Sequence, residues 1–301
     1  MLPTVVQTSE THKQTGGWKT ARFVLQWPIW QQTGRRRPLI MGVLNITPDS
    51  FSDGGQFTDL DNALRHARQL LDEGADILDI GAESTRPGAA AVHADREWGR
   101  LEPVLTELAK WQIPLSLDTM KADIMSKGAD IGVDILNDVS GFKDAASQAV
   151  LSSSGCGGVI MHMQGQPRTM QQAPVYADCV LEVAAFLQQQ IDVLRGQGVA
   201  PDRLLVDPGF GFGKMLQHNI DLFKATPRFA AMASGVLIGV SRKSMIGTLT
   251  QQTDANQRVY GSVAAAVRAA ELGARVVRVH DVRATLDALV VADALAEPRS
   301  L

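Results

Sequence analysis

The chain has 301 residues, 45% of them hydrophobic, and a formal net charge of −3. That length holds one large core, near the size at which chains split into domains. A mildly acidic balance without a basic stripe excludes a nucleic-acid surface; the short run Arg35, Arg36, Arg37 is read as solvated.

Two cysteines, Cys156 and Cys179, have no metal-like spacing, so a disulfide framework is excluded and a reducing compartment fits. The apolar stretch at 23–30 is broken by Gln26 and Pro28. It is too short to span a bilayer and lacks the unbroken apolar region of a secretory signal. The expectation is a cytoplasmic protein without a membrane partner.

Residues 1–36 are rich in Thr, Gln and Trp and have no clear period. They are compatible with a mobile arm or with an edge strand and turn, and no chemistry is assigned to them. Residues 37–301 are read as one domain. From Pro38, apolar runs at 39–44, 77–80, 114–117, 135–136, 158–161, 204–206, 236–240 and 276–279 alternate with helical patterns. The helices are expected at 59–73, 97–110, 178–197, 256–272 and 284–296, with Gly74, Gly128, Gly198 and Gly273 as stop signals. Strands alternating with helices imply parallel βαβ units, and near-continuously apolar strands imply that both sheet faces are covered. Eight such units predict an α/β fold, a closed (β/α)8 TIM barrel; an open doubly wound sheet is the alternative.

A barrel of this kind carries its site at the carboxyl ends of its strands. The eight runs end in turn at Asn45, Asp79, Asp118, Asn137 with Asp138, His162, Asp207, Ser241–Lys243, and Arg278 with His280. A single Asp or Asn there is usually a cap or turn former. Capping does not predict carboxylates and amides grouped at strands two, three, four and six, with cations at seven and eight. That division fits one ligand with a hydrogen-bond-donating heterocyclic end and an anionic end. A carboxylate accepts paired N–H bonds from an aminopyrimidine edge; Arg278, His280 and Lys243 suit a phosphate or pyrophosphate.

Two glycine-rich loops follow. Residues 209–214, GFGFGK, lack both the P-loop spacing and its Ser or Thr, and also the dinucleotide spacing. They are read as a close backbone approach beside a flat ligand, with Phe212 as an apolar wall. Residues 81–88, GAESTRPG, form a shaped loop whose one cation is Arg86. His66, His93 and His218 have no metal-like partners and are read as structural; His162 either acts or braces its loop.

Together the runs MGVLNITPDSFSDGG, LDIGAESTRPGA, SLDT, ILNDVSG, VIMHMQGQPRTMQ, LLVDPGFGFGK, GVSRKSMIG and RVHDV resemble the dihydropteroate synthases, over residues 38–296. The first two are the most specific. Ala82 departs from the family's usual glycine, and the N-terminal extension is a second departure. The resemblance implies a pterin-binding barrel that condenses para-aminobenzoate with 6-hydroxymethyl-7,8-dihydropterin pyrophosphate, with Mg²⁺ on the pyrophosphate, a homodimer and an enzyme of the class that sulfonamides target. It implies Asp207 at the pterin amino edge, Lys243 at the 4-oxo group, and Asn137 and Asp118 at the remaining ring nitrogens. It implies Arg278, His280, Arg86 and Thr85 at pyrophosphate, Asn45 on the metal side, and Asp79 as an anchor for the first loops. Asp118, Lys243 and Arg86 are the expected catalytic groups. A pterin-dependent methyltransferase barrel and a non-catalytic pterin-binding module are the rival readings.

Overall fold

The computed structural model describes residues 17–29, 37–46, 56–84, 92–166, 169–171 and 173–296. The first pair of strands, β1 (Trp18–Lys19) and β2 (Val24–Leu25), is an antiparallel hairpin. Eight further strands follow: β3 (Leu39–Asn45), β4 (Ile77–Gly81), β5 (Leu115–Asp118), β6 (Ile135–Asp138), β7 (Gly157–Met161), β8 (Leu204–Asp207), β9 (Leu237–Ile238) and β10 (Val276–Val279). All eight run parallel, in the order β8-β7-β6-β5-β4-β3-β10-β9. A parallel bridge between Val206 and Val236, with the Val206 N–H on the Gly235 carbonyl at 3.1 Å, joins β8 to the start of β9 and closes the ring. The fold is the expected (β/α)8 barrel, not an open sheet.

The helices alternate with these strands: α1 (Gln56–Asp72), α2 (Ala94–Leu108), α3 (Ala122–Ile131), α4 (Ala145–Ser154), α5 (Cys179–Gly196), α6 (Leu216–Lys224), α7 (Thr226–Ala230), α8 (Ser244–Thr250), α9 (Val259–Glu271) and α10 (Val282–Ala294). Asp144 and Asp178 cap α4 and α5 by accepting the N–H groups of Ser147 and Leu181 at 2.9 and 3.0 Å. The five longest helices lie within a few residues of their predicted spans. The shorter α3, α4, α6, α7 and α8 carry too few turns for a clear period. Gly128 is not a stop signal: it lies inside α3, where a β-carbon would come within 2.4 Å of Leu117. The helix stops at Gly132, whose φ of 110° is a left-handed cap. No helix among the described residues is long and apolar enough to cross a membrane.

Side chains alternate across each strand. Ile40, Leu44, Leu78, Ile80, Leu117, Leu136, Ile160, Val206 and Val277 face outward into a buried core shared with the helices. Leu39, Met41, Ile77, Ile135, Val159, Leu205, Leu237 and Val276 face inward and form a second cluster with Trp18, Phe23, Leu25 and Trp27. Residues 17–29 therefore pack as the floor of the barrel. Trp18 donates its indole N–H to the Arg203 carbonyl at 2.9 Å, and Trp27 donates to Arg275 at 3.1 Å. Arg22 forks onto buried Asp134 at 2.9 and 2.7 Å. Arg37, expected on a solvated surface, instead forks onto buried Asp76 at 2.5 and 2.8 Å. With the floor sealed by apolar side chains, the polar residues of the same strands collect at the other end.

Candidate active site

Two residues beyond Ile77, Ile135, Leu205 and Val276, on the same inward face, stand Asp79, Asn137, Asp207 and Arg278. The strand period thus carries each column from apolar floor to polar mouth.

Asp79 is fully buried. Ser116 donates its hydroxyl to Oδ1 at 2.6 Å, Arg278 donates Nε–H to Oδ2 at 2.6 Å, and the Asn137 amide lies 3.3 and 3.4 Å from the two oxygens. Asp79, expected to anchor the first loops and to meet the substrate, is thus bonded to Ser116, Asn137 and Arg278. Its acceptors are engaged beneath the mouth. Ser116 escaped notice because a serine within a strand carries no signal until its facing carboxylate is known.

Arg278 spans two carboxylates, donating Nη2–H to Asp118 Oδ2 at 2.7 Å. Burial opposes its charge, but Asp79 and then Asp118 outweigh that and raise its pKa. Burial pushes the Asp118 carboxyl up to about 7; Arg278 pulls it down, and Asp79, Glu97 and Asp138 push it further up.

On β8, burial raises the Asp207 carboxyl, opposed by Lys243 and by the Gly209 N–H, which donates to Oδ1 at 2.7 Å. Lys243 donates to the Phe210 carbonyl at 2.7 Å and lies 4.7 Å from the centre of the Phe212 ring. Burial lowers its ammonium to about 8 against the pull of Asp207. The preceding residue, Arg242, has φ of 59°, a conformation costly outside glycine. It is held there by a fork onto Asp281 at 2.5 and 3.0 Å and by the Ser262 hydroxyl, which accepts its N–H at 2.9 Å.

The glycines at 209 and 213 make a close backbone approach. Gly209, with φ of 72°, would place a β-carbon 1.9 Å from the His162 carbonyl oxygen, and Gly213 would place one 2.5 Å from that of Gln164. The close neighbour of both is the loop after β7. Phe212 packs in a buried apolar cluster with Val139, Met161, Met163 and Met170.

His280 follows Arg278 at a spacing of two, with Nδ1 3.1 Å from the Ser241 hydroxyl. Asn45 is half-buried at the end of β3, in register with Gly81; among the described residues its side chain makes no hydrogen bond. Those residues also contain no cluster of three or more His, Cys, Asp or Glu able to hold a metal. Thr85 and Arg86 lie outside the described residues.

The base of the second loop shows groups that sequence reasoning missed. Glu83 accepts the Val92 N–H at 2.9 Å, Lys121 pairs with both Glu83 and Glu97, and Thr119 donates to Glu97 at 2.7 Å. Only the folded chain brings the ends of β4 and β5 together with α2, so no local pattern announces this cluster.

Comparison with known proteins agrees with this geometry. The family model described as pterin binding enzyme matches residues 41–280. The dihydropteroate synthase of Neisseria meningitidis serogroup C is 51% identical over 275 residues, 89% of this chain and 97% of that protein. The one from Escherichia coli strain K12 is 43% identical, over 85% and 91% of the two chains. A Burkholderia cenocepacia dihydropteroate synthase complexed with 7,8-dihydropteroate superposes with a TM-score of 0.82 at 42% identity, covering 93% of this chain and 96% of that one. A Xanthomonas albilineans dihydropteroate synthase with 4-aminobenzoic acid also gives 0.82, at 45% identity over 87% and 94%.

Proposed function

The chain belongs to the dihydropteroate synthases of the pterin-binding enzyme family, and from that premise we propose how its barrel mouth performs their reaction. It condenses para-aminobenzoate with 6-hydroxymethyl-7,8-dihydropterin pyrophosphate, giving 7,8-dihydropteroate and pyrophosphate. The observation that carries the mechanism is one mouth in which Asp118, Asn137 and Asp207 stand with Lys243 and Arg278.

Asp207 accepts the amino edge of the pterin, Lys243 donates to its 4-oxo group, and Asn137 and Asp118 meet the remaining ring nitrogens. Phe212 lies against the ring. Arg278, His280, Arg86 and Thr85 take the pyrophosphate. An electron-rich dihydropterin stabilises a positive methylene carbon, so departure of pyrophosphate runs ahead of attack by the amine. Arg278 opposes the charge growing on the leaving group, and the Asp118 carboxylate opposes the charge growing on the methylene. The amine of para-aminobenzoate then forms the new C–N bond and loses its proton. No nucleophilic side chain takes part.

Asn45 suits Mg²⁺, which prefers oxygen ligands and keeps several waters. Bound with the pyrophosphate, the ion would add to the neutralisation of the leaving group. The test is direct: para-aminobenzoate should release pyrophosphate from the dihydropterin pyrophosphate in the presence of Mg²⁺. Pterin binding without such release would point to a non-catalytic module, and methyl transfer would point to the related methyltransferase barrels.

The pterin pocket predicts a binding loss. Asp207→Asn turns an acceptor into a donor that faces a donor, and an unpaired buried contact costs roughly 1–3 kcal/mol. Calorimetry with a pterin analogue should show affinity lower by about tenfold or more; unchanged affinity removes Asp207 from the pterin edge.

The carboxyl of Asp118 predicts a pH profile. Burial raises its pKa to about 7, so below that pH it is protonated and has no charge to set against the methylene. kcat/KM, which reports the free enzyme, should fall on the acid side with a midpoint near this value. Asp118→Asn should retain a low activity without that acid limb. An unchanged limb in the variant assigns it to another group.

Cytoplasmic location and homodimerisation belong to the same proposal. The two free, buried cysteines support the first. In α9 the small residues Ser262, Ala266 and Ala269 are buried against the barrel, so they serve internal packing. The exposed apolar side chains Leu249, Tyr260, Val290 and Val291 of α8–α10 support a second copy as partner. Sedimentation equilibrium should give twice the chain mass; a monomer at micromolar concentration rejects it.

A further inference from the structure

The mechanism above leaves one buried cation unused. Lys214 closes the 209–214 loop and is 3% exposed. Its ammonium lies 3.0 Å from His162 Nδ1, 3.2 Å from the His162 carbonyl and 3.0 Å from the Phe212 carbonyl. An ammonium has three N–H donors and accepts nothing, so three acceptors satisfy it. None of them is a carboxylate. Burial lowers the Lys214 ammonium to about 7, and burial, then Lys214 and Lys143, lower the imidazole to about 3, so the ring is neutral and, opposite the charged form of Lys214, presents a bare Nδ1.

These partners belong to two different loops. His162 begins the segment after β7, and its own N–H donates to the Asp207 carbonyl at 3.0 Å. Phe212 belongs to the segment after β8, whose Gly209 already touches His162. Gly213 in the same segment accepts the Tyr176 hydroxyl at 2.9 Å. What this joint holds is the wall beneath Lys243: the Phe210 carbonyl that takes its proton donor, and the Phe212 ring beside it.

We propose that Lys214 is a positioning residue for the condensation, clamping the loop after β7 to the loop after β8 so that Phe212 and Lys243 are set for the pterin ring. It touches no substrate. The inference rests on the pterin reading of the mouth; pyrophosphate release by the unaltered enzyme tests that reading separately.

The groups so positioned are the ones assigned to the pterin, and the expected kinetics follow from that assignment. Lys214→Met keeps the length and loses the charge. KM for the pterin substrate should rise about tenfold, the consequence of one misaligned buried polar contact. KM for para-aminobenzoate should be unchanged and kcat should stay within about threefold. A residue needed only for folding would lower the yield of active enzyme and the melting temperature while leaving KM alone, and that outcome overturns the proposal.

A second pair of variants decides the matter even if Lys214→Met does not fold. In His162→Asn the amide oxygen stands where Nδ1 does and still accepts from Lys214; in His162→Leu that side-chain acceptor is gone and only the two backbone carbonyls remain. Pterin-analogue affinity should stay near that of the unaltered enzyme in the first and drop about tenfold in the second. Equal behaviour of the two variants overturns the clamp. Where all fold, Lys214→Met with His162→Leu should lose no more affinity than the worse single change, since both remove the same joint. Additive losses also overturn it.

Discussion

Arg278→Ala should lower kcat/KM by about 10³-fold or more, since a single donor aimed at developing charge is worth about 10²–10³ and this guanidinium does more than donate. It stands between Asp79 and Asp118, bonded to each at 2.6 and 2.7 Å. Its removal leaves two buried carboxylates facing each other without a cation. Breaking a buried pair by deleting one partner costs about 3–5 kcal/mol, so chemical denaturation should show a matching fall in stability. Pyrophosphate binding should be lost. A bare pterin, which lacks that group, should lose only about tenfold through the loosened Asp118. Arg278→Lys is the sharper variant. It keeps the charge, but a point charge on a flexible stem cannot span both carboxylates as a planar fork does. Activity within about tenfold of normal in the lysine variant would sink the bridging role.

Trp18→Ala should destabilise the protein by about 3–5 kcal/mol, the range for removing a large buried aromatic side chain. Trp18 is fully buried, packs in the barrel floor, and donates its indole N–H to Arg203. The floor and the mouth are at opposite ends of the strands, so kinetics below the melting range should show KM for both substrates within about twofold, as for distant, uncoupled sites. Urea unfolding of this variant measures the first quantity and steady-state kinetics the second. A loss under about 1 kcal/mol would mean that the hairpin is an attachment to a self-sufficient barrel.

The barrel was legible in the sequence because its signals are long-period. Apolar runs covered on both faces, separated by helical patterns, repeat from residue 38 onward, and each strand end can be read for chemistry. Exceptions follow the same logic. The predicted strand at 236–240 reduces to Leu237–Ile238, because Gly235, with φ of 131°, and Gly239 flank it and the ring closes through one bridge. The floor was hidden because Trp18, Phe23, Leu25 and Trp27 come from two-residue strands and irregular backbone, too short to show a period. At the mouth, Asp79 and Asp118 look alike in sequence, each an aspartate after an apolar run. Depth separates them: Asp79 is covered by Ser116, Asn137 and Arg278, while Asp118 keeps 14% of its side chain exposed. Depth depends on register between strands, which sequence spacing alone does not carry. The glycine loop's packing against the segment after β7 was hidden for a related reason, since that segment lies almost fifty residues earlier.

The indole bonds of the floor carry a consequence for how the chain assembles. Trp18 and Arg203 are 185 residues apart, and Trp27 and Arg275 are 248 apart. During synthesis both tryptophans emerge long before the carbonyls that accept their protons. The inner surface they plug does not exist until β8, β9 and β10 have been added. Closing loops of that length demands entropy that only a largely formed ring repays. Residues 17–29 should therefore be seated last, with their indoles hydrated until the final strands arrive. Their transfer out of water is a built-in reporter of completion: a partly folded intermediate with a good share of its helices but an unsealed ring still shows solvent-exposed tryptophan at its N-terminal end.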